Sequence, residues 1–183
     1  MIKLSEFPIL STPRLTLREH MVCDKESYYE LMSNPNTVRY YGRPPMKDIS
    51  EVEAEFQHIR CGFEKFAYIK WAIEFNRTHE YIGSIGAWGM DNSHDRATLS
   101  CIISPQYWGA GFGYEATSRI IEYLFAELHL NRLQLYVDPI NERAVALFRK
   151  VGFVTEGVLR EYEYEYGAFV DIIIMSLLRR DIL

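Results

Sequence analysis

Cysteine is rare in this chain of 183 residues, and the three that occur, Cys23, Cys61 and Cys101, are widely separated. An odd number of cysteines without a Cys-x-x-Cys pair excludes a disulfide framework and is typical of a protein kept in a reducing compartment. The five histidines are equally scattered and form no His-Glu-x-x-His motif. We therefore predict that the chain holds no metal ion.

Clusters of basic residues and long apolar runs are absent as well. The net charge is −5 and no stripe of Lys and Arg occurs, so the electrostatic basis for nucleic-acid binding is missing, whereas a cationic substrate would suit this balance. No apolar run approaches the roughly 18 residues of a membrane span, and the first residues of the sequence lack the apolar core of a signal peptide. These absences predict a cytoplasmic protein that binds neither nucleic acid nor membranes.

The sequence does contain a continuous succession of strand and helix patterns without repeats or linkers, so we predict one domain over residues 1–183. Strand patterns cover residues 14–18, 68–75, 81–88, 97–103 and 133–137, and a closing hairpin covers residues 153–166 and 169–177. Helical patterns begin at Asp24, at Asp48, directly behind residue 113 and at Asn141, while residues 33–47 form an irregular loop. Short connections favour antiparallel pairing, and one strand that is reached through a helix favours a parallel pair. The predicted fold class is a mixed α/β fold, with a mostly antiparallel sheet flanked by helices.

The most specific motif lies in residues 103–116. Gly109, Gly111 and Gly113 follow a β-branched run and directly precede a helical pattern. Glycine lets the backbone turn tightly and approach a ligand. A helix that begins behind such a loop directs its free N–H groups and the positive end of its dipole at the same space. The motif therefore predicts a phosphate-binding loop.

Two phosphate ligands fit this loop. Residues 111–116 match the Gly-x-Gly-x-x-Ala dinucleotide motif, and Asp138 ends the next strand where a ribose ligand is expected, which would indicate a nicotinamide-dependent oxidoreductase. A doubly wound dinucleotide domain needs further parallel units, however, and only one helix and a hairpin follow Asp138. The other ligand is the pyrophosphate of acetyl-coenzyme A. A Walker-type loop is excluded because Gly-Lys-Ser/Thr does not occur.

A second motif decides between these ligands. Residues 141–153 read Asn-Glu-Arg-Ala-Val-Ala-Leu-Phe-Arg-Lys-Val-Gly-Phe. Together with the glycine loop, their order and spacing resemble the GNAT superfamily of N-acetyltransferases. Residues 11–18, 107–109 and 156–160 resemble the branch that includes the ribosomal-protein N-α-acetyltransferases. The resemblance covers nearly the whole chain and implies acetyl transfer from acetyl-coenzyme A to a primary amine.

The resemblance also implies a cofactor site. Backbone N–H groups of residues 109–113 would hold the pyrophosphate, and a strand edge that opens because two neighbouring strands splay apart would pair with the pantetheine amides. Asn141 would bind the pantetheine arm and also cap its helix, while Ala144 and Phe148 would line the thioester end or belong to the core. The implied cofactor-binding residues are Cys101, Ile102, Ile103, Trp108, Gly109, Ala110, Gly111, Phe112, Gly113, Asn141, Ala144 and Phe148.

Several positions depart from the family pattern. Trp108 stands where Gln or Arg often contacts phosphate, and Phe148 stands where many relatives carry the tyrosine that is their proposed acid. Ala144 replaces a serine of some relatives, and Thr98 replaces a usual acidic residue. A module that binds coenzyme A without catalysis is therefore an alternative.

Direct attack of the amine on the thioester remains chemically accessible despite these losses. A peptide α-amine with a pKa of about 8 is roughly one-tenth neutral at pH 7, and a thiol with a pKa of about 8.5 leaves without a strong acid. Positioning and polarisation of the carbonyl by strand N–H groups would supply much of the rate. No cysteine has a histidine in its motif that would activate it, so we expect no covalent enzyme intermediate.

The predicted catalytic residues are Glu163, Phe148 and Asn141, with Glu163 as the base. Residues 161–166 alternate Glu and Tyr, so that Glu161, Glu163 and Glu165 share one face of a strand. This face is either a solvated acidic surface over a tyrosine-lined core or an acidic entrance that attracts an amine. Weaker candidates for the base are Glu74 and Glu19 on earlier strands.

The predicted acceptor is a protein N-terminal α-amine, with a ribosomal protein as the specific expectation from the resemblance. A polyamine, an amino acid or an aminoglycoside is the alternative acceptor. The two N-terminal helices and the loop of residues 33–47, which contains Arg39-Tyr40-Tyr41, would form the acceptor side. The resemblance also suggests a homodimer through the C-terminal hairpin.

Overall fold

The computed structural model describes residues 4, 6–165 and 167–182. Its strands are β1 (Leu10–Ser11), β2 (Leu15–Arg18), β3 (Tyr68–Phe75), β4 (Glu80–Asp91), β5 (Arg96–Ile103), β6 (Arg132–Val137), β7 (Val154–Glu165) and β8 (Ala168–Leu178). Its helices are α1 (Lys25–Ser33), α2 (Pro35–Val38), α3 (Glu51–Glu64), α4 (Phe112–Ala126) and α5 (Glu142–Val151). The strands form one sheet in the order β1-β2-β3-β4-β5-β6-β8-β7.

Helices cover both faces of the sheet. The larger apolar cluster joins alternate residues of the central strands, such as Trp71 and Leu99, to the buried stripe of α4 that includes Ile120 and Leu124. The smaller cluster lies on the opposite face, where Tyr28 of α1 meets strand residues such as Ala72. Because side chains of a strand alternate between faces, the central strands feed both clusters and lie between two helical layers.

The parallel pair is β5 and β6, as the sequence predicts, and all other neighbouring strands are antiparallel. The register of this pair ends at Thr98 opposite Gln134, although β5 continues to Ile103 and β6 to Val137. The two strands therefore diverge, and a wedge opens between them. A single parallel pair in an antiparallel sheet excludes the doubly wound dinucleotide fold.

Local chemistry accounts for the departures from the predicted elements. The loop of residues 33–47 contains the short helix α2, because the Asn34 side chain caps it by accepting from the N–H group of Asn36 at 3.0 Å. The helix predicted from Asp48 begins instead at Glu51, whose carboxylate accepts from the N–H groups of Lys47 and Asp48 at 2.7 and 2.9 Å. The two-residue strand β1 is too short for a periodic signal.

One predicted residue, Tyr166 in the closing hairpin, lies outside the described residues. Within the part of the chain that the structure describes, no helix is long and apolar enough to cross a membrane.

Candidate active site

The glycine loop has the backbone that the sequence predicts. Gly109 and Gly111 adopt positive φ values of 77° and 83°, which residues with a Cβ atom rarely adopt, and Gly111 is the N-cap of α4. A Cβ atom on Gly109 would meet nothing within 4 Å, so the loop borders open space. Gly113 has a different reason to be small, since its Cβ atom would lie 3.2 Å from Cδ2 of Leu147 on α5. The first N–H groups of α4 therefore face a cleft between α4 and α5.

Two aromatic side chains of the loop, those of Phe112 and Trp108, hold the loop in place. Phe112 is buried and packs edge-on against Phe75 and Tyr107 at centroid distances of 5.1 and 5.9 Å, so it offers the cleft its backbone. Trp108 donates its indole N–H group to the carbonyl oxygen of Ile103 at 2.7 Å. Trp108 thus ties the loop to the end of β5.

The open edge of β5 presents alternate residues. The N–H group of Ser104 donates to the Ile82 carbonyl at 2.9 Å, and pairs in an antiparallel ladder alternate between bonded and open. By that alternation the backbone of Ile102 pairs with β4, whereas the backbone groups of Cys101 and Ile103 point into the wedge. Because Trp108 occupies the Ile103 carbonyl, the N–H groups of both residues and the Cys101 carbonyl are available to an added strand.

The cleft between the loop, the wedge and α5 has a volume of about 1150 Å³. Three cations line it, and each lies against an aromatic ring. The guanidinium carbon of Arg143 lies 5.0 Å from the Trp108 ring, the ammonium of Lys150 lies 4.8 Å from the Tyr114 ring, and Arg39 lies over Tyr40. The cleft therefore combines backbone donors with positive charge and suits a polyanionic ligand.

A second cavity of about 410 Å³ meets this cleft beside α5. The residues that line both spaces are Tyr40, Tyr41, Cys101, Asn141, Ala144 and Phe148, and we call this set the junction. Asn141 begins α5, and its side-chain oxygen accepts from the Ala144 N–H group at 3.2 Å, so the predicted cap exists and the amide nitrogen is left for another partner. Phe148 is buried against Phe153 with its rings in a T-shaped pair.

The second cavity has an acidic end. Asp138, Glu163 and Glu165 line it, and none of the ion pairs among the described residues includes them. Burial and the neighbouring charges of Glu163 and Asp138 raise the pKa of Glu165. Like charges that are held together in this way are stabilised by a cation. We call Asp138, Glu163 and Glu165 the acidic trio.

Three other charged residues line this cavity and pair with one another, with one positive charge in excess. Glu55 lies 3.4 Å from the Lys70 ammonium and 3.2 Å from the Arg43 guanidinium. Burial opposes ionisation of Glu55, but the two cations outweigh it and hold the pKa of Glu55 below its usual value. The Lys70 ammonium also donates to the Tyr28 hydroxyl at 3.0 Å. Only the acidic trio is therefore short of positive charge.

The interpretation of the glutamate–tyrosine run as an acidic surface over a tyrosine core is wrong. Tyr162 and Tyr164 are 55% and 65% exposed, whereas Glu163 and Glu165 are half-buried and face the cavity. Tyr162 also stacks on Tyr136 of β6 at 5.9 Å, although β8 lies between their strands in the sheet. The end of β7, beyond a bulge in its pairing with β8, therefore bends over the sheet toward β6.

The two other predicted bases lie elsewhere. Glu74 accepts from Arg18 at 2.6 Å and pairs with His79 at 2.9 Å, and Glu19 lies 3.5 Å from Arg60. Neither residue lines a cavity. Both carboxylates serve ion pairs rather than the site.

The cysteine at the junction is unsuited to covalent chemistry. Burial raises the pKa of the Cys101 thiol to about 12, so the thiol is protonated at neutral pH. Cys23 and Cys61 are exposed and line neither cavity. Among the described residues, no group of three or more His, Cys, Asp and Glu side chains is placed to hold a metal ion.

Sequence reasoning missed several lining residues. The sequence suggested Asp138 only as a candidate ribose ligand in a dinucleotide site, and it suggested Glu165 only as a residue on the same strand face as Glu163. Arg143 and Lys150 lie on the exposed side of α5 within the motif of residues 141–153, but neither cation was predicted to have a role. Tyr136 is an alternating residue of β6 like any other until β7 folds over it.

A splayed parallel pair, a glycine loop that opens a helix and a cleft for a polyanion define a coenzyme A-dependent acyltransferase. Comparison with known proteins specifies the family. Residues 14–154 match the model of the acetyltransferase (GNAT) domain, and the chain belongs to this family of N-acetyltransferases, which use acetyl-coenzyme A.

Individual relatives cover almost the whole chain. The uncharacterized N-acetyltransferase YoaA of Bacillus subtilis is 36% identical over 94% of this chain and 98% of its own length. Spermidine N(1)-acetyltransferase of Vibrio cholerae is 29% identical over 91% of this chain and 94% of its own. The crystal structure of a Vibrio cholerae spermidine N-acetyltransferase in complex with CoA and spermine is 27% identical, with a TM-score of 0.83 over 93% of this chain and 98% of that one.

Proposed function

We propose that this enzyme acetylates a primary amine of a small polycation of the polyamine class. The observation that carries this proposal is the acidic trio, which adjoins the junction and lacks a cation of its own. A second ammonium group on the acceptor would supply that charge while the reacting amine reaches the junction. Similarity to spermidine N-acetyltransferases over most of the chain supports the same acceptor class.

Acetyl-coenzyme A would occupy the cleft on the other side of the junction. The N–H groups of residues 109–113 would bind the pyrophosphate, and Arg143 and Lys150 would balance further phosphate charge. The pantetheine arm would add as a strand to the open edge at Cys101 and Ile103. This placement brings the thioester between Asn141 and Phe148.

The proposed reaction is direct attack by the neutral amine on the thioester carbonyl. The new C–N bond forms a tetrahedral intermediate whose oxyanion faces the strand N–H groups, and its collapse breaks the C–S bond. The amine proton passes to Glu163 or Glu165 and then to water, while the thiolate is protonated from solvent because its pKa is about 8.5. The raised pKa of Glu165 makes its carboxylate a stronger base than an ordinary glutamate.

The acceptor predicted from the sequence, a protein N-terminal α-amine, carries one charge and makes weaker demands on a base. An aliphatic primary amine with a pKa of about 10.4 is neutral at only a few parts in ten thousand at pH 7. Turnover of a polyamine should therefore rise with pH by about tenfold per unit up to the pKa of the amine, whereas turnover of an α-amine should level off near pH 8.

An amine panel tests the proposal. We expect kcat/KM for spermidine to exceed that for butylamine and for a seven-residue peptide with a free N-terminus by about tenfold or more, since only spermidine neutralises the acidic trio. The double variant E163Q/E165Q should lower the spermidine value by about tenfold more than the butylamine value, because both amines lose the proton acceptor but only spermidine also loses the partner of its second ammonium. Glu161, which is exposed on the same strand and lines neither cavity, gives the matched control E161Q.

A preference for the peptide that survives in E163Q/E165Q would overturn the polyamine assignment and restore the N-terminal α-amine. Binding of acetyl-coenzyme A without turnover of any amine would instead support a module that has lost catalysis.

A further inference from the structure

Residues that are distant in the sequence form hydrogen bonds to the glycine loop and to the first turn of α4 without lining the cofactor cleft. Arg14, just before β2, donates its Nη1 hydrogen to the carbonyl oxygen of Ala110 at 2.9 Å. Its Nε group donates to Oε2 of Glu115 at 2.6 Å, and its backbone N–H group donates to Oε1 of the same carboxylate at 2.9 Å. Thr12 donates its hydroxyl hydrogen to Oε1 of Glu115 at 2.6 Å. We call Thr12, Arg14 and Glu115 the clamp.

The clamp acts at the least constrained part of the loop. Ala110 lies between Gly109 and Gly111, and glycine loses more conformational freedom on ordering than any other residue. The bond from Arg14 fixes the peptide between these glycines, and Glu115 anchors Arg14 in the first turn of α4. Neither Thr12 nor Arg14 lines the cofactor cleft, so the clamp holds the loop without occupying the site.

The clamp also controls charge behind the loop. Burial of Glu115 favours its neutral form, but Thr12 and Arg14 outweigh burial and hold the pKa of Glu115 below its usual value. The carboxylate is therefore ionised close to the N-terminus of α4, where an unpaired negative charge would repel phosphate. The Arg14 guanidinium compensates this charge and also lies 4.4 Å from the Phe112 ring.

We infer that the clamp positions the glycine loop for the phosphates of the cofactor. The inference rests on the proposed placement of the pyrophosphate at residues 109–113. A loop that is ordered before binding loses less entropy when the ligand arrives, so the clamp contributes to cofactor affinity rather than to the chemical step. Arg14 and Glu115 are positioning residues, since they act through Ala110 and the backbone of α4.

Two acetyl donors separate this role from general stability. S-Acetylpantetheine has the thioester and the pantetheine amides of acetyl-coenzyme A but no pyrophosphate. We expect R14Q to lower the ratio of kcat/KM for acetyl-coenzyme A to that for S-acetylpantetheine by about tenfold, mainly through KM. R14K should not restore the ratio, because an ammonium cannot reach Glu115 and Ala110 with a planar fork.

Two further variants keep the test decisive. T12V removes the bond to Glu115 and the bond that the Thr12 hydroxyl accepts from the Leu15 N–H group at 2.9 Å. It should lower the ratio by about twofold to threefold, which leaves a measurable effect if R14Q folds poorly. R119Q is the matched control, because Arg119 lies on α4 and pairs with the exposed Glu122 at 3.1 Å. The R119Q ratio should equal that of the wild type.

A direct loop variant distinguishes the two ways to fail. G111A strains the positive φ of Gly111 and should lower the same ratio if the loop binds pyrophosphate. If G111A lowers the ratio but R14Q and T12V lower both donors equally or not at all, the clamp is only structural and the inference is overturned. If G111A also leaves the ratio unchanged, the pyrophosphate lies elsewhere, and the cofactor placement fails together with the clamp.

Discussion

The cofactor cleft and the acceptor cavity meet at the junction, yet different parts of the chain, backbone groups and side chains, form their binding surfaces. The cleft presents backbone groups, at the glycine loop and at the open edge of β5, and its charged side chains are three cations and the single carboxylate of Glu142. The acceptor cavity presents charged side chains, and the carboxylates among them that have no ion-pair partner are the acidic trio. A chain with a net charge of −5 thus keeps opposite fields on the two sides of one junction. This separation would guide a polyanionic donor and a cationic acceptor to opposite entrances.

Because of this difference, the cofactor cleft has a recognisable sequence motif and the acceptor cavity has none. A backbone site requires glycine at fixed spacings, because only glycine readily adopts the conformation. The sequence of such a site therefore contains a recognisable motif. A side-chain site can be assembled from any strand that reaches the cavity, so its residues share no spacing.

The largest effect should come from removing cations that line the cofactor cleft. In R143A/K150A we expect the Kd of acetyl-coenzyme A to rise by about thirtyfold at low ionic strength, because two cations that line the cleft are lost. The KM for the amine should change by less than about threefold. Isothermal titration at 20 and 300 mM salt measures the Kd, and the difference between variant and wild type should shrink at high salt. Equal losses for donor and acceptor would show that the two sides are not separate.

A smaller effect is expected at the junction itself. Phe148 offers no hydroxyl, and the departing thiolate needs no strong acid above its pKa of about 8.5. F148Y should therefore raise kcat by no more than about threefold, and only below that pH. A pH profile of kcat from 6.5 to 9.5 measures this. A rise of tenfold or more would mean that the wild-type enzyme is limited by the missing acid, and a rise that persists at pH 9.5 would exclude thiolate protonation as its cause.

The smallest effect is expected on the thermal stability of the protein, through Glu165. The folded protein raises the pKa of Glu165, so its ionised form costs stability above that pKa and the cost disappears when the carboxyl is protonated. E165Q should raise the Tm by about 1 °C at pH 7.5 and not at pH 4. The same variant should bind the amine less tightly at pH 7.5. A lower Tm at pH 7.5 would contradict a site that is short of positive charge.

The same distinction between backbone groups and side chains explains which features the sequence predicts. The strand Tyr68–Phe75 has the predicted bounds, and the parallel pair follows from a strand that is reached through a helix. The glycine loop follows from the spacing of its glycines, and the family from the resemblance of the motifs. Alternation placed Glu163 and Glu165 on one face but could not say that this face is the inner one. That outcome depends on β7 folding over β8, which is a tertiary event with no local signal.

The residues of the clamp are only partly predictable from the sequence. The opening residues 11–18 contribute to the family resemblance, yet nothing in their spacing shows that Arg14 reaches Ala110, 96 positions away. Such pairings require the assembled sheet, since β2 and the end of β5 come together only through β3 and β4.

A crystal structure of the enzyme with coenzyme A and spermidine bound together would show directly whether donor and acceptor occupy the two sides of the junction. We predict the pyrophosphate at the N–H groups of residues 109–113 and the pantetheine amides paired with Cys101 and Ile103. We also predict an ammonium of spermidine within hydrogen-bond distance, about 3.2 Å or less, of at least two carboxylates of the acidic trio. Spermidine bound away from the acidic trio, or coenzyme A outside the wedge between β5 and β6, would contradict this prediction.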